Sequence, residues 1–176
     1  MRRILLLILF IPLVLSAQVM NTARVLKENK AAIQIYPSFK GEDPYLYLAG
    51  EYGLKKATDL QINFGAGETT YFGANLEKVL SHGELVISGS GGVHYANNPG
   101  LNFTGNLTFP LARILDIYTG LDMELNFSDG IDSPLWFFLG NSINYQRNLQ
   151  FFLEVALGLE TENIISLGIN YNLGVL

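Results

Sequence analysis

The chain has 176 residues, carries a formal net charge of −5 and is 49% hydrophobic, with 15% charged residues. It contains no cysteine, which excludes disulfides, a lipid-anchored cysteine and thiolate metal sites. Two histidines are too few for a multi-histidine metal site, and the acidic balance offers no basic patch for nucleic acid. We therefore predict no cofactor, no resident metal and no nucleic-acid partner.

Residues 1–17 have the pattern of a secretory signal peptide. Arg2 and Arg3 precede a short apolar run, residues 4–15, and small Ala17 is a plausible last residue before cleavage. An uncleaved anchor is the alternative, but a spanning helix needs roughly 20 apolar residues and this run is shorter. We expect export through a cleaved signal peptide, followed by a polar periplasmic lead-in over residues 18–30.

From residue 31 to residue 176 the chain is a series of alternating polar and apolar runs separated by turn residues. No run is long enough for a spanning helix, and no linker indicates a second domain. We predict an all-β domain, a single antiparallel transmembrane β-barrel with short loops. Ten strands are expected, with eight as the alternative: 31–39, 45–53, 59–66, 69–77, 84–96, 100–109, 114–127, 135–146, 149–159 and 163–175.

The clearest run, residues 114–127, assigns different side chains to the two faces of one strand. Its odd positions are apolar apart from one threonine, and its even positions carry every acid. Successive side chains of a strand point to opposite faces, so one face is acidic and the other oily. The acidic face consists of Asp116, Tyr118, Gly120, Asp122, Glu124 and Asn126.

The polar face of the strands indicates which side of the barrel is inside. A soluble, lipocalin-like periplasmic barrel would turn its polar face to bulk water and would be expected to carry lysine, arginine and glutamate there. Instead, the basic residues after the signal lie in the lead-in or in or beside turns, and the strands' polar face is mostly Asn, Ser, Thr, Gly and Tyr. Small neutral groups suit a confined lumen, so the oily face is predicted to contact lipid.

The signal, the alternating pattern and hairpins such as "YLYLAGEYGLKKATDLQINFGAG" (45–67) resemble the small outer-membrane β-barrel proteins of Gram-negative bacteria. The resemblance covers residues 31–176 and implies an outer-membrane location, with outer-membrane lipids and the barrel-insertion machinery as partners. These proteins usually end on an aromatic residue. This chain ends "INYNLGVL", so it keeps the alternating apolar residues but departs from the pattern at Leu176.

Some barrels of this class modify outer-membrane lipids, which makes an enzyme the rival interpretation. Ser90 and His94 share one face of a strand, but at about 3.3 Å per residue they are some 13 Å apart, too far for a Ser–His pair. The run Gly89–Gly92 lacks the Lys-Ser/Thr ending of a phosphate loop. We predict a protein without enzymatic activity and without catalytic residues.

Five acids fall on the predicted lumen face, and no lysine or arginine occupies a strand position on that face. Unpaired carboxylates are costly in a dry interior, so they must be hydrated, protonated, bound to cations or hydrogen-bonded. Two interpretations remain open, a narrow cation-preferring pore and a plugged structural barrel, because barrels near eight strands can fill their interior with side chains. The predicted lumen-lining residues are Glu51, Asp116, Asp122, Glu124 and Glu154.

The two rims differ in charge. Loops after odd-numbered strands, such as "KGEDP" and "ETEN", are short and acidic, whereas turns after even-numbered strands, such as "LKKAT" and "QRN", are basic. Acidic loops could hold divalent cations, since Ca²⁺ and Mg²⁺ prefer oxygen ligands, and ordinary solvated charge is the alternative.

Overall fold

The computed structural model describes residues 22–128 and 130–175. The predicted signal peptide, residues 1–17, lies outside the described residues. Eleven strands form one sheet without helices in this part of the chain. They are β1 Lys30–Lys40, β2 Asp43–Gly53, β3 Thr58–Ala66, β4 Thr70–Ser81, β5 Val86–Ala96, β6 Asn98–Ala112, β7 Leu115–Phe127, β8 Ile131–Asp132, β9 Leu135–Gln146, β10 Leu149–Leu159 and β11 Ile164–Val175.

The sheet closes into an antiparallel barrel of ten strands. The ten barrel strands pair in chain order, with β7 pairing with β9, and β1 pairs with β11 to complete the ring. The two-residue strand β8 pairs only with the end of β7, within the loop that joins β7 to β9. The predicted ten-stranded barrel is confirmed, and β8 is an addition that the sequence pattern did not indicate.

Two strands extend further than their sequence pattern predicted. β4 continues to Ser81 and β6 to Ala112, through residues expected to form turns. Both extensions follow a register shift, between Val79 and Ser81 in one case and between Pro110 and Ala112 in the other. A bulge lets pairing resume after one unpaired residue, so turn-like residues are accommodated inside a ladder.

The connections define two rims. At the loop rim, the loops after β1, β3, β5, β7 and β10 are short; a single residue, Asn97 with φ 64°, joins β5 to β6. Asparagine is among the residues that tolerate this left-handed conformation. The other rim, here called the terminal rim, carries the turns after β2, β4, β6 and β9 together with both ends of the described chain.

The outward face of the barrel is apolar all the way round. Each of the ten barrel strands exposes at least two large apolar or aromatic side chains, for example Leu121 (52% exposed) on β7 and Leu167 (53% exposed) on β11. The described residues contain no helix long and apolar enough to cross a membrane. An apolar band without gaps is unfavourable in water, and it matches the lipid-facing surface of a transmembrane barrel.

Aromatic side chains fill part of the interior. Tyr118 and Phe138 are fully buried, and each lies against a glycine on the neighbouring strand. A Cβ added at Gly140 would come within 2.2 Å of the Tyr118 ring, so that ring occupies the space a side chain would need. This aromatic layer contains Tyr36, Tyr47, Tyr71, Tyr118, Trp136, Phe138 and Phe152.

Candidate functional site in the barrel lumen

The five carboxylates predicted from the sequence all stand at inward-facing positions of their strands. Asp116, Asp122 and Glu154 are buried, at 1%, 5% and 0% exposure. Glu51 on β2 and Glu124 on β7 are half-buried. The strands therefore place these carboxylates at different depths of the barrel interior.

Two further inward carboxylates, Asp59 on β3 and Glu77 on β4, were missed by the sequence analysis. Both are buried, at 4% and 6% exposure. Their inward orientation could have been predicted from the sequence, because residues two apart on a strand share a face. Asp59 lies two residues before Gln61, and Glu77 lies two residues after Asn75. β4 alternates less cleanly than β7, which explains why Glu77 was not predicted. Asp59 was not predicted although its strand, β3, alternates regularly.

Neutral donors satisfy several of these carboxylates. Hydroxyl and amide groups on other strands donate hydrogen bonds to carboxylate oxygens, which is how a polar group in a confined interior avoids the cost of lost hydration. Gln34 and Gln61 donate to Glu51, Ser88 and Asn106 donate to Glu77, and Thr104 donates to Asp122.

Although no lysine or arginine was expected at a lumen-facing strand position, Asp116 has a basic partner. Its carboxylate lies 2.9 Å from the guanidinium of Arg24, and its second oxygen accepts a 3.5 Å hydrogen bond from Asn144. Arg24 and Asp116 are 92 residues apart in the sequence. Strand parity could not reveal this pair, because Arg24 reaches the lumen from outside the barrel strands.

Arg24 belongs to a segment that enters the barrel mouth at the terminal rim. Residues 22–29, here called the N-terminal strap, are the part of the predicted lead-in that the structure describes before β1 begins. Ala23 is fully buried against Val79 and Val86. Backbone N–H groups of the strap are hydrogen-bonded to the wall: Ala23 to the Thr108 hydroxyl (2.8 Å), Leu26 to the Asp59 carboxylate (3.1 Å) and Asn29 to the Gly53 carbonyl (2.9 Å).

The described lumen contains a cavity towards each rim. The terminal chamber, about 160 Å³, has polar walls and is bordered by the strap. The loop vestibule, about 330 Å³, is bordered by Tyr45, Tyr47 and Tyr71 together with polar residues of the loops. The charged residues of the chamber are Arg24, Glu51, Asp59 and Glu77, and those of the vestibule are Lys40, Glu68, Glu124 and Asp132.

The position of Lys40 also differs from the prediction. It is the last residue of β1 and was assigned to a turn, yet it shares the inward parity of Ser38 and lines the vestibule with Glu124. One basic residue therefore lines each cavity. The carboxylates still outnumber the basic groups, by six to two over the two cavities.

The described contacts of His94 are with an aromatic ring, an amide and a glycine. Its ring stacks on Tyr71 with the centroids 5.6 Å apart, and its Nε2 lies 2.8 Å from the Asn126 side-chain oxygen. It also lies over Gly100, where an added Cβ would meet the ring at 2.4 Å. These contacts account for the burial of His94 by packing.

Solved structures similar to this chain are outer-membrane barrels. A channel from Pseudomonas putida F1 matches with a TM-score of 0.60 and 8% identity, covering 89% of this chain and 100% of the channel. The NanC porin matches with a TM-score of 0.56 and 6% identity (79% and 98% covered), and the KdgM porin with 0.53 and 10% (80% and 98% covered). At these identities the likeness concerns the fold.

Comparisons by sequence add no relative, since no protein-family profile and no curated protein matches the chain. The fold is nonetheless that of the small outer-membrane β-barrels, as the sequence predicted.

Proposed function

We propose that this protein is a β-barrel of the outer membrane that forms a narrow, cation-preferring pore and has no enzymatic activity. The observation that carries the proposal is the charge of the two lumen cavities, whose walls hold six carboxylates and two basic side chains. The uninterrupted apolar outer face and the likeness to porins and channels support the membrane part of the proposal.

The charge imbalance favours cations for an electrostatic reason. Charge interactions grow as the local dielectric falls, and the apolar wall of the barrel keeps the field inside the lumen. Rings of acidic side chains select cations in other channels for the same reason. One structure of the KdgM porin holds oligogalacturonate, a polyanion, and the acidic cavities here disfavour a solute of that charge.

A plugged structural barrel is the second candidate, and two observations favour it. The aromatic layer includes Tyr118 and Phe138 at 0% exposure, and the N-terminal strap enters the terminal mouth. Any conducting path must therefore be narrow or must open when these groups move. Electrical measurement separates the two candidates directly.

The test of the pore is the reversal potential of the purified barrel in a planar bilayer under a KCl gradient. We expect cation preference, and we expect the double variant Glu51→Gln with Glu124→Gln to reduce it, because it removes one carboxylate from each cavity. Glu42→Gln, at an exposed position in the turn after β1, is the matched control and should leave selectivity unchanged.

The preference should also weaken in concentrated salt, since the Debye length falls from about 10 Å at 0.1 M to about 3 Å at 1 M. Anion preference, or equal selectivity in the double variant and the wild type, would contradict the proposal. Complete absence of conductance would favour the plugged barrel.

Enzymatic activity is tested separately with labelled lipid A and phospholipid. No turnover is expected, because the described contacts of His94 are ring stacking and an amide oxygen. Turnover that is lost in the variant His94→Ala would overturn this part of the proposal.

Export and location are the remaining part of the proposed function. We propose cleavage after Ala17, insertion by the barrel-insertion machinery and contact with outer-membrane lipids, with divalent cations attracted to the acidic loop rim. Mass analysis of the mature protein should find Gln18 as its first residue, and membrane fractionation should recover it only with detergent. Recovery from the soluble periplasm would favour the lipocalin-like alternative.

A further inference from the structure

Arg24 bridges two different environments at the terminal rim. Its side chain is 47% exposed, whereas the Asp116 carboxylate that it contacts is 1% exposed. Arg24 also lines the terminal chamber. Its guanidinium therefore reaches from a water-accessible cavity to a buried carboxylate, as a small cationic ligand would.

The walls of the terminal chamber are rich in hydrogen-bond acceptors. Glu51, Asp59 and Glu77 contribute carboxylates. Asn170 also lines the chamber, and its buried side-chain oxygen has no hydrogen-bond partner among the described residues. Asn170 itself is only 6% exposed. A guanidinium or an alkylammonium group offers several N–H donors and no acceptor, so it complements this set.

The strap that carries Arg24 is held by few contacts. Besides the ion pair, the described contacts of residues 22–26 are the packing of Ala23 and Val25 and the hydrogen bonds of the Ala23 and Leu26 N–H groups. Its other end continues directly into β1 at Lys30. Release of the strap would therefore require no change in the barrel strands.

We propose that the terminal chamber is a binding site for guanidinium and primary-ammonium groups, and that Arg24 is its tethered occupant. Cationic solutes compete with Arg24 and displace the N-terminal strap from the barrel mouth. The site lies in the same lumen as the proposed pore, but binding does not require conduction, so the two proposals can fail independently.

The first experiment uses the unmodified protein and methylguanidinium chloride as the probe. Hydrogen exchange is followed in peptides that cover residues 22–29, where the Ala23 and Leu26 amides report docking of the strap. We expect methylguanidinium to accelerate their exchange severalfold over NaCl at equal ionic strength. No acceleration, or equal acceleration by NaCl, would overturn the proposal, because screening alone would then account for any release.

The second experiment is chemical rescue. Arg24→Ala leaves Asp116 buried without its cation, and we expect its thermal midpoint in detergent micelles to fall by roughly 2–4 °C. Methylguanidinium should restore most of that loss. It should not stabilise the wild type, nor the double variant Arg24→Ala with Asp116→Asn.

Lys55→Ala is the matched control, because Lys55 forms the other described ion pair at this rim, an exposed one with Glu28 at 3.8 Å. It should show neither the loss nor the rescue. Equal responses to methylguanidinium in Arg24→Ala and Lys55→Ala would show that the chamber does not bind the cation specifically.

Discussion

At the scale of single residues, the packing of the interior depends on inward-facing glycines, which leave room for aromatic rings. Gly140 on β9 faces Tyr118 on β7 and Glu154 on β10 in the register of the sheet. Because it has no side chain, the Tyr118 ring can lie along the wall of the barrel. The alternating pattern shows that Gly140 points inward, but it does not show which ring covers it.

Gly140→Ala tests this packing. The added methyl group would overlap the fully buried Tyr118 ring, so we expect a loss of about 1–3 kcal/mol in the free energy of unfolding. Urea unfolding in phospholipid vesicles measures it. Gly50→Ala on β2, where an added Cβ meets nothing within 4 Å, should change stability by less than about 0.5 kcal/mol. Equal effects of the two substitutions would contradict the described packing.

At the scale of elements, the turn between β2 and β3 carries backbone strain. Lys56 and Ala57 both have positive φ, 60° and 54°. Two successive positive φ values are typical of the tight turns that match the twist of a hairpin, and glycine adopts them most easily. The sequence "LKKAT" indicated a basic turn but not this conformation.

Lys56→Gly should therefore stabilise the barrel, by about 0.5–1 kcal/mol, because glycine removes the steric cost of the left-handed conformation. Lys55→Gly, one residue earlier and not among the residues with positive φ, removes the same charge without that gain and should be neutral or destabilising. The unfolding midpoints of the two variants provide the test: stabilisation by Lys55→Gly equal to or greater than that by Lys56→Gly would show that the left-handed conformation of Lys56 does not account for the gain.

At the scale of the whole molecule, the apolar outer face indicates whether the barrel is surrounded by water or by lipid. In water, an exposed Leu121 could be replaced by arginine at little cost, whereas in a bilayer the same change buries a charge in hydrocarbon. Leu121 lies near the middle of β7 and points outward with 52% exposure. Ile131, in the loop after β7, is 73% exposed and lies at the loop rim.

We expect Leu121→Arg to lower the stability in phospholipid vesicles by about 2–4 kcal/mol, the cost of arginine at the midplane of a membrane barrel. Ile131→Arg should cost about 0–1 kcal/mol, since positions near the interface are tolerant. If both substitutions are tolerated equally, the apolar band does not contact lipid and the barrel is not a transmembrane one.

Much of the fold and part of the candidate site followed from local pattern. The alternation of β7 alone assigned Asp122 and Glu124 to one face, and ten such runs predicted the ten strands that the barrel contains. Glu77 was not predicted because β4 alternates less cleanly, whereas Asp59 was not predicted although β3 alternates regularly from Asp59 to Phe64. β8 was not predicted, because two paired residues inside a loop produce no periodic pattern in the sequence.

The sequence by itself determined the properties that repeat every two residues: the strands, their two faces, the apolar exterior and the acidic character of the interior. Only the tertiary structure decided what the acids meet. Arg24 reaches Asp116 across 92 residues, and Lys40 lines a vestibule with Glu124 from a different strand. Alternation is a property of consecutive residues, whereas the occupancy of a lumen depends on segments that are brought together only when β1 and β11 close the barrel.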